Sequence, residues 1–148
     1  FLSLLAVWPV VVAMIMVTMM IGRAIMGEQF EMPQHVGLEL ITESGSILLR
    51  VLIVFLAVIA APLLEEMLFR GLIQTMLRSY TGRPWLGVII TSALFASVHA
   101  NATHWPALFA LAMGLGYTYE RSGSLWRSIF IHILFNSISV AGALFLGL

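Results

Sequence analysis

The chain places two adjacent glutamates, Glu65 and Glu66, and an arginine, Arg70, inside the apolar run APLLEEMLFRG at 61–71. Two further ionisable side chains, His99 and His132, and one amide, Asn136, stand in later apolar stretches. An ionisable group at membrane depth costs about 2.5–3.5 kcal/mol on insertion scales, so such residues are functional candidates by default. A glutamate with two histidines suits the activation of water. The carboxylate takes a proton from water as general base, and a histidine shares that task and then protonates a leaving amine. A second histidine and an amide can donate hydrogen bonds to a developing oxyanion. Glu65, His99 and His132 are equally a three-ligand zinc set with an open water position. No HEXXH occurs, so the arrangement is not that of a zincin. No serine is placed as an obvious nucleophile, cysteine is absent, and there is no Gly-rich phosphate loop. On residue types alone hydrolysis is a reasonable reading, with proton or ion transport as its competitor.

Spacing sharpens these roles. Glu66 and Arg70 are four apart with the glutamate N-terminal, the better orientation for a helical ion pair. Such a pair is explained as readily by helix packing as by chemistry. Glu65 lies about 100° round the helix from Glu66, so one carboxylate can be paired while the other points at a site. His132 and Asn136 repeat the four-residue spacing, as do Phe95 and His99. Asn136 by itself also fits an interhelical hydrogen bond. Gly114, Gly116, Ala107, Ala110 and Ala112 read as close helix packing, and the nine methionines as apolar filler. His35, Asn101 and His104 fall in loops or interfaces and are assigned no direct role.

The elements that must position these groups are membrane helices. The 148 residues are 61% hydrophobic and 9% charged, with a mean hydropathy of +1.04; soluble domains carry about 25% charged residues. The expected fold is an all-α integral membrane bundle of about five transmembrane helices. Residues 1–21 form a first span with Pro9 tolerated inside it, and are too long and lack the basic start for a signal peptide. Residues 22–45 form a water-exposed acidic loop with Glu28, Glu31, Glu39 and Glu43. Residues 46–80 are one apolar stretch, about 52 Å as a straight helix, which Pro62 divides or kinks. Turns at SYTGRP (79–84) and ERSGS (120–124, with Ser124 as N-cap) separate segments at 84–100, 105–119 and 125–146. The chain thus divides into an N-terminal helix and loop (1–45) and a core (46–148). Beginning at Phe1, it reads as a segment of a longer protein. Zero formal net charge gives no sign of a nucleic-acid partner; the lipid bilayer is the expected surrounding.

Depth and orientation follow. Glu65 and Glu66 precede the first arginine-bearing turn by roughly as many residues as His99 follows it. The three therefore share a level about 20 Å from that turn. By the same rise His132 stands about 12 Å and Asn136 about 18 Å up the last helix. Arg78 and Arg83 mark one turn and Arg121 and Arg127 the other, so both face one side, opposite the acidic loop. The positive-inside rule makes that side cytoplasmic.

Three ordered motifs now combine. EEMLFRG matches the EExxxR motif, FASVH (95–99) the FxxxH motif, and HILFN (132–136) the HxxxN motif of the CAAX protease and bacteriocin-processing (CPBP, or Abi) family of intramembrane proteases. The stretches GSLWRSIFIHILFNS and ALFALAMGLGYTYERSGS resemble that family too, with Arg127 standing where proline is frequent. The resemblance spans about residues 47–146 and implies an all-helical membrane endopeptidase acting on a peptide or membrane-protein substrate. Carried over, Glu65 is the general base aided by His99, His132 and Asn136 form the oxyanion site, and Glu66 and Arg70 support and orient. The metal-free form is preferred, with zinc on Glu65, His99 and His132 as the alternative. A bacterial or archaeal cytoplasmic membrane is the expected location. The competing functions are a non-catalytic membrane scaffold or immunity protein of the same fold, and a proton-coupled transporter fragment.

Overall fold

The computed structural model describes residues 2–33 and 45–146. His35, Glu39 and Glu43, part of the expected acidic loop, lie outside them. The described residues form five long helices and a short 3-10 turn, with no strand among them. We label the helices α1 (Leu2–Met26), α2 (Ile47–Thr81), α3 (Pro84–Ser97), α4 (Trp105–Ser122) and α5 (Leu125–Leu146). The fold is all-α, as the apolar runs imply.

Helix boundaries follow local chemistry. Helix α1 runs past the expected end at residue 21 to Met26, because Gly22 stays helical and Gly27, at φ +98°, is the residue that breaks it. Phe30 then folds back over Gly22, where a Cβ would stand 2.1 Å from its ring. Gly82 (φ +66°) ends α2 and Gly123 (φ +63°) ends α4. Each occupies the left-handed conformation in which its N–H closes the helix on a carbonyl four residues back, a position that favours glycine. Pro84 and Pro106 open α3 and α4, where a missing N–H costs nothing.

Pro62 does not divide α2. The helix continues from Ile47 to Thr81 with two π-helical stretches, Leu56–Ala60 and Met67–Gln74. In the first, the Ala61 N–H reaches the Leu56 carbonyl, five residues back. That register shift takes up the donor Pro62 lacks. In the second, the Thr75 hydroxyl donates to the Arg70 carbonyl at 3.0 Å.

Helix α4 is the centre of the bundle. Its Leu111, Leu115 and Ala107 pack with Val11 of α1 and Ile131 of α5, while its Ala112 joins Phe69 of α2 and Phe95 of α3. Gly114 lets α1 approach, since a Cβ there would meet Val7 at 2.1 Å. The expectation of close packing at Gly114 and Gly116 is therefore met. By length and composition α1, α2 and α5 can each cross a membrane. Helix α3 is apolar but has fourteen residues, about 21 Å.

Candidate active site

Glu66 is fully buried and is the hub of the site. Its Oε1 accepts from Arg70 Nη1 at 2.7 Å and from His132 Nδ1 at 2.9 Å. Its Oε2 accepts from the Ser128 hydroxyl. The ion pair expected between Glu66 and Arg70 is present, with both side chains at 0% exposure. Arg70 also donates through Nη2 to the Ala112 carbonyl at 3.0 Å, and its guanidinium lies 4.9 Å from the centre of the Phe95 ring. Two charges inside an apolar bundle are thus met by several donors and acceptors, the condition under which a buried pair is tolerated.

A carboxylate only accepts, so His132 carries its proton on Nδ1 in the neutral ring. Its Nε2 then faces Glu65 Oε2 at 3.7 Å. Glu65 keeps a side-chain exposure of 30% against 0% for Glu66. The two neighbouring glutamates are therefore distinguished by environment: one is locked in the core, and the other stands at the edge of the bundle beside an imidazole.

His99 lies just past the end of α3 and is half-buried. Its Nδ1–H donates to the Phe95 carbonyl at 2.7 Å, which leaves Nε2 as its open nitrogen. Its backbone carbonyl accepts from Trp105 Nε1 at 2.9 Å. Phe95 is the common wall, 4.9 Å from the His99 ring and 5.8 Å from the His132 ring, centre to centre. Asn136 sits one turn beyond His132 and donates through Nδ2 to the Ala57 carbonyl at 2.9 Å, inside the first π stretch. The structure thus brings His132 against both glutamates, joins His99 to the group through Phe95, and ties Asn136 to the neighbouring backbone. Asn101 accepts from Thr103 N–H and hydroxyl, and His104 donates to the Pro33 carbonyl at 3.0 Å. Both serve their loops, as expected.

Ser128 was not among the expected residues. Its hydroxyl is fully buried and lies 3.3 Å from the Leu115 carbonyl as well as against Glu66. The signal that could have found it is the four-residue step Ser128, His132, Asn136 along one face of α5. A zinc ion on Glu65, His99 and His132 would need all three side chains to converge on one point. Among the described residues no three His, Asp or Glu side chains gather closely enough to hold a metal ion.

Residues 47–138 match the family described as type II CAAX prenyl endopeptidase Rce1-like. The chain belongs to the Rce1-like family. Its Rce1-like region includes the whole polar cluster, from Glu65 to Asn136. Two relatives place it further. The Bacillus subtilis (strain 168) protein "Putative membrane peptidase YdiL" is 32% identical over 89 residues, 60% of this chain and 36% of the relative. An "Uncharacterized 24.3 kDa protein" of Escherichia coli is 30% identical over 122 residues, 80% of this chain and 56% of the relative. The Rce1-like chain thus spans only part of these relatives' length. No solved structure matches it. Family and apolar helices together make it an integral membrane protein.

Proposed function

We propose that this chain is the catalytic core of an intramembrane endopeptidase that hydrolyses peptide bonds near the membrane interface. The observation that carries the reading is the approach of Glu65 Oε2 to His132 Nε2 at 3.7 Å, on a bed formed by Glu66, Arg70 and Ser128. A water oxygen about 2.8 Å from each atom fits that separation. Glu65 takes a proton from this water, and the oxygen attacks the scissile carbonyl carbon. The carbonyl π electrons move to its oxygen. His132, held by Glu66 through Nδ1–H, takes a second proton from solvent on Nε2 before the attack, offers that Nε2–H to the oxyanion and keeps it through the cycle. The Asn136 amide nitrogen carries two hydrogens, so its bond to Ala57 leaves one for the same role. When the tetrahedral intermediate collapses, the C–N bond breaks. The proton returns from Glu65, or through His99 Nε2, to the leaving amine.

The step is not routed through a metal. Stoichiometric zinc in the purified protein, with cleavage lost on chelation, would replace this reading with the zinc one. The substrate class is a peptide or membrane protein, and the arginine-bearing turns face the cytoplasm of a bacterial or archaeal cell. The test compares Glu65→Gln and His132→Ala with the parent chain in a cleavage assay after reconstitution. Each is expected to lower turnover by about 10²–10⁴-fold while the protein still inserts and keeps its helical spectrum. Full cleavage by Glu65→Gln would exclude it as the base.

A further inference from the structure

A second group of polar atoms lies one layer below the glutamates and includes Arg70 Nε, which neither Glu66 nor Ala112 engages. Arg70, Gln74 and Thr91 are at most 1% exposed. Among the described residues, Arg70 Nε, Gln74 Oε1 and Thr91 Oγ1 are buried side-chain atoms without a hydrogen-bond partner.

Helix register brings these three residues to one seam. Helices α2 and α3 run antiparallel about the turn at Gly82. At one level a Cβ on Gly87 would stand 3.2 Å from the Gln74 carbonyl oxygen. At the other, the Arg70 guanidinium lies 4.9 Å from the Phe95 ring centre. Thr91 is midway, four residues from Gly87 and from Phe95, and all three are buried on α3. Helix α4 closes the third side with the same step. Its Ala112 carbonyl takes Arg70 Nη2 at 3.0 Å, and its Gly116 carbonyl takes Gln74 Nε2 at 3.1 Å.

The three open valences are complementary. Arg70 Nε–H only donates, Gln74 Oε1 only accepts, and the Thr91 hydroxyl does both. Buried polar groups left unpaired are costly, and internal water meets such groups where roughly two to four of them converge. We propose that this seam binds internal water, which accepts from Arg70 Nε–H, donates to Gln74 Oε1 and is completed by Thr91. The line continues outward. Gln74 Nε2 lies 3.4 Å from Glu120 Oε2, and Glu120 pairs with Arg78 at 3.3 Å at the arginine-bearing end of the bundle. The bound water therefore exchanges with solvent at that end, and the buried side of Arg70 is hydrated from below rather than through the mouth of the glutamate site.

The experiment needs no substrate, so its failure leaves the peptidase reading untouched. The full chain, isotope-labelled and reconstituted in deuterated bilayers, is studied by solid-state NMR with magnetisation started on water. In the parent chain, transfer to the Arg70 Nε–H is expected. Thr91→Val, which keeps the volume and removes the hydroxyl, is expected to abolish that transfer with the backbone spectrum retained. Gln74→Met is expected to do the same and covers the case in which Thr91→Val does not fold. Absence of transfer in the parent chain, or transfer unchanged in the folded variants, overturns the proposal. So does a higher Tm of Thr91→Val without any water signal, the mark of an unpaired hydroxyl in a dry seam.

Discussion

Glu66→Gln separates the charge of the hub from its shape. The amide oxygen can replace Oε1 and accept from Arg70 and His132. The amide nitrogen can then donate to Ser128, whose hydroxyl turns to the Leu115 carbonyl 3.3 Å away. Each existing hydrogen bond keeps a partner, the negative charge is lost, and the second amide hydrogen is one new buried donor. Arg70, at 0% exposure, is left without its contact counter-ion. Removing one member of a buried pair costs about 3–5 kcal/mol, and the retained hydrogen bonds place this variant near the lower end. Glu66→Leu, which also strands the donors of Arg70, His132 and Ser128, belongs near the upper end. Arg70→Met costs a similar amount. Combining it with Glu66→Gln removes both charges, so the pair should cost at least about 2 kcal/mol less than the sum of its parts. The assay is reversible unfolding in mixed micelles, followed by helical circular dichroism. Additivity within about 0.5 kcal/mol would refute the coupling, as would a single-variant cost below about 1 kcal/mol, the value of an exposed pair.

Other perturbations test separate contacts. Ser128→Ala should cost about 1–2 kcal/mol in the same unfolding assay and lower cleavage. Ser139→Ala, whose exposed hydroxyl only bonds its own helix at Phe135, should change neither. Gly114→Ala drives a methyl into Val7 and should cost about 1–3 kcal/mol; Val7→Ala in the same chain should recover most of it. Asn136→Leu removes the bond to Ala57 and should cost about 0.6–1.7 kcal/mol. Faster hydrogen exchange at Ala61, whose N–H closes the first π turn, is its local readout.

What could be read beforehand was whatever depends on spacing within one helix. The Glu66–Arg70 pair is a four-residue contact, and the structure has it at 2.7 Å. The turns at Gly82 and Gly123 carry their own chemistry and fell where glycine placed them. Contacts between helices were less legible. Counting turns put His132 about 12 Å and the glutamates about 20 Å from the arginine-bearing end, yet His132 touches both carboxylates. The count assumed upright, regular helices, and α2 contains thirteen π residues in its two stretches. An interhelical hydrogen bond was readable from Asn136 itself, but for the same reason its partner, the Ala57 carbonyl, was not. Ser128 did have a signature, but a serine one turn before a histidine is too common in helices to stand out by itself. The end of α1 was misplaced because residues from 22 onward read as polar loop, whereas the helix runs on to Met26 with Gly22 packed against Phe30.

The shortness of α3 bears on the lipid as much as on the protein. A helix of about 21 Å cannot match a hydrocarbon layer of about 30 Å. Its end, with His99 and the 3-10 turn Ala102–His104, either lies below the headgroups on that side or draws them inward. Bilayers adapt to such mismatch by thinning locally, at a fraction of a kcal/mol per Å. A thinned annulus beside Glu65 would bring water and headgroups closer to that carboxylate. Lipid chain length then becomes a control variable for the proposed peptidase. Short-chain bilayers should favour the geometry that α3 imposes, and long-chain ones should resist it.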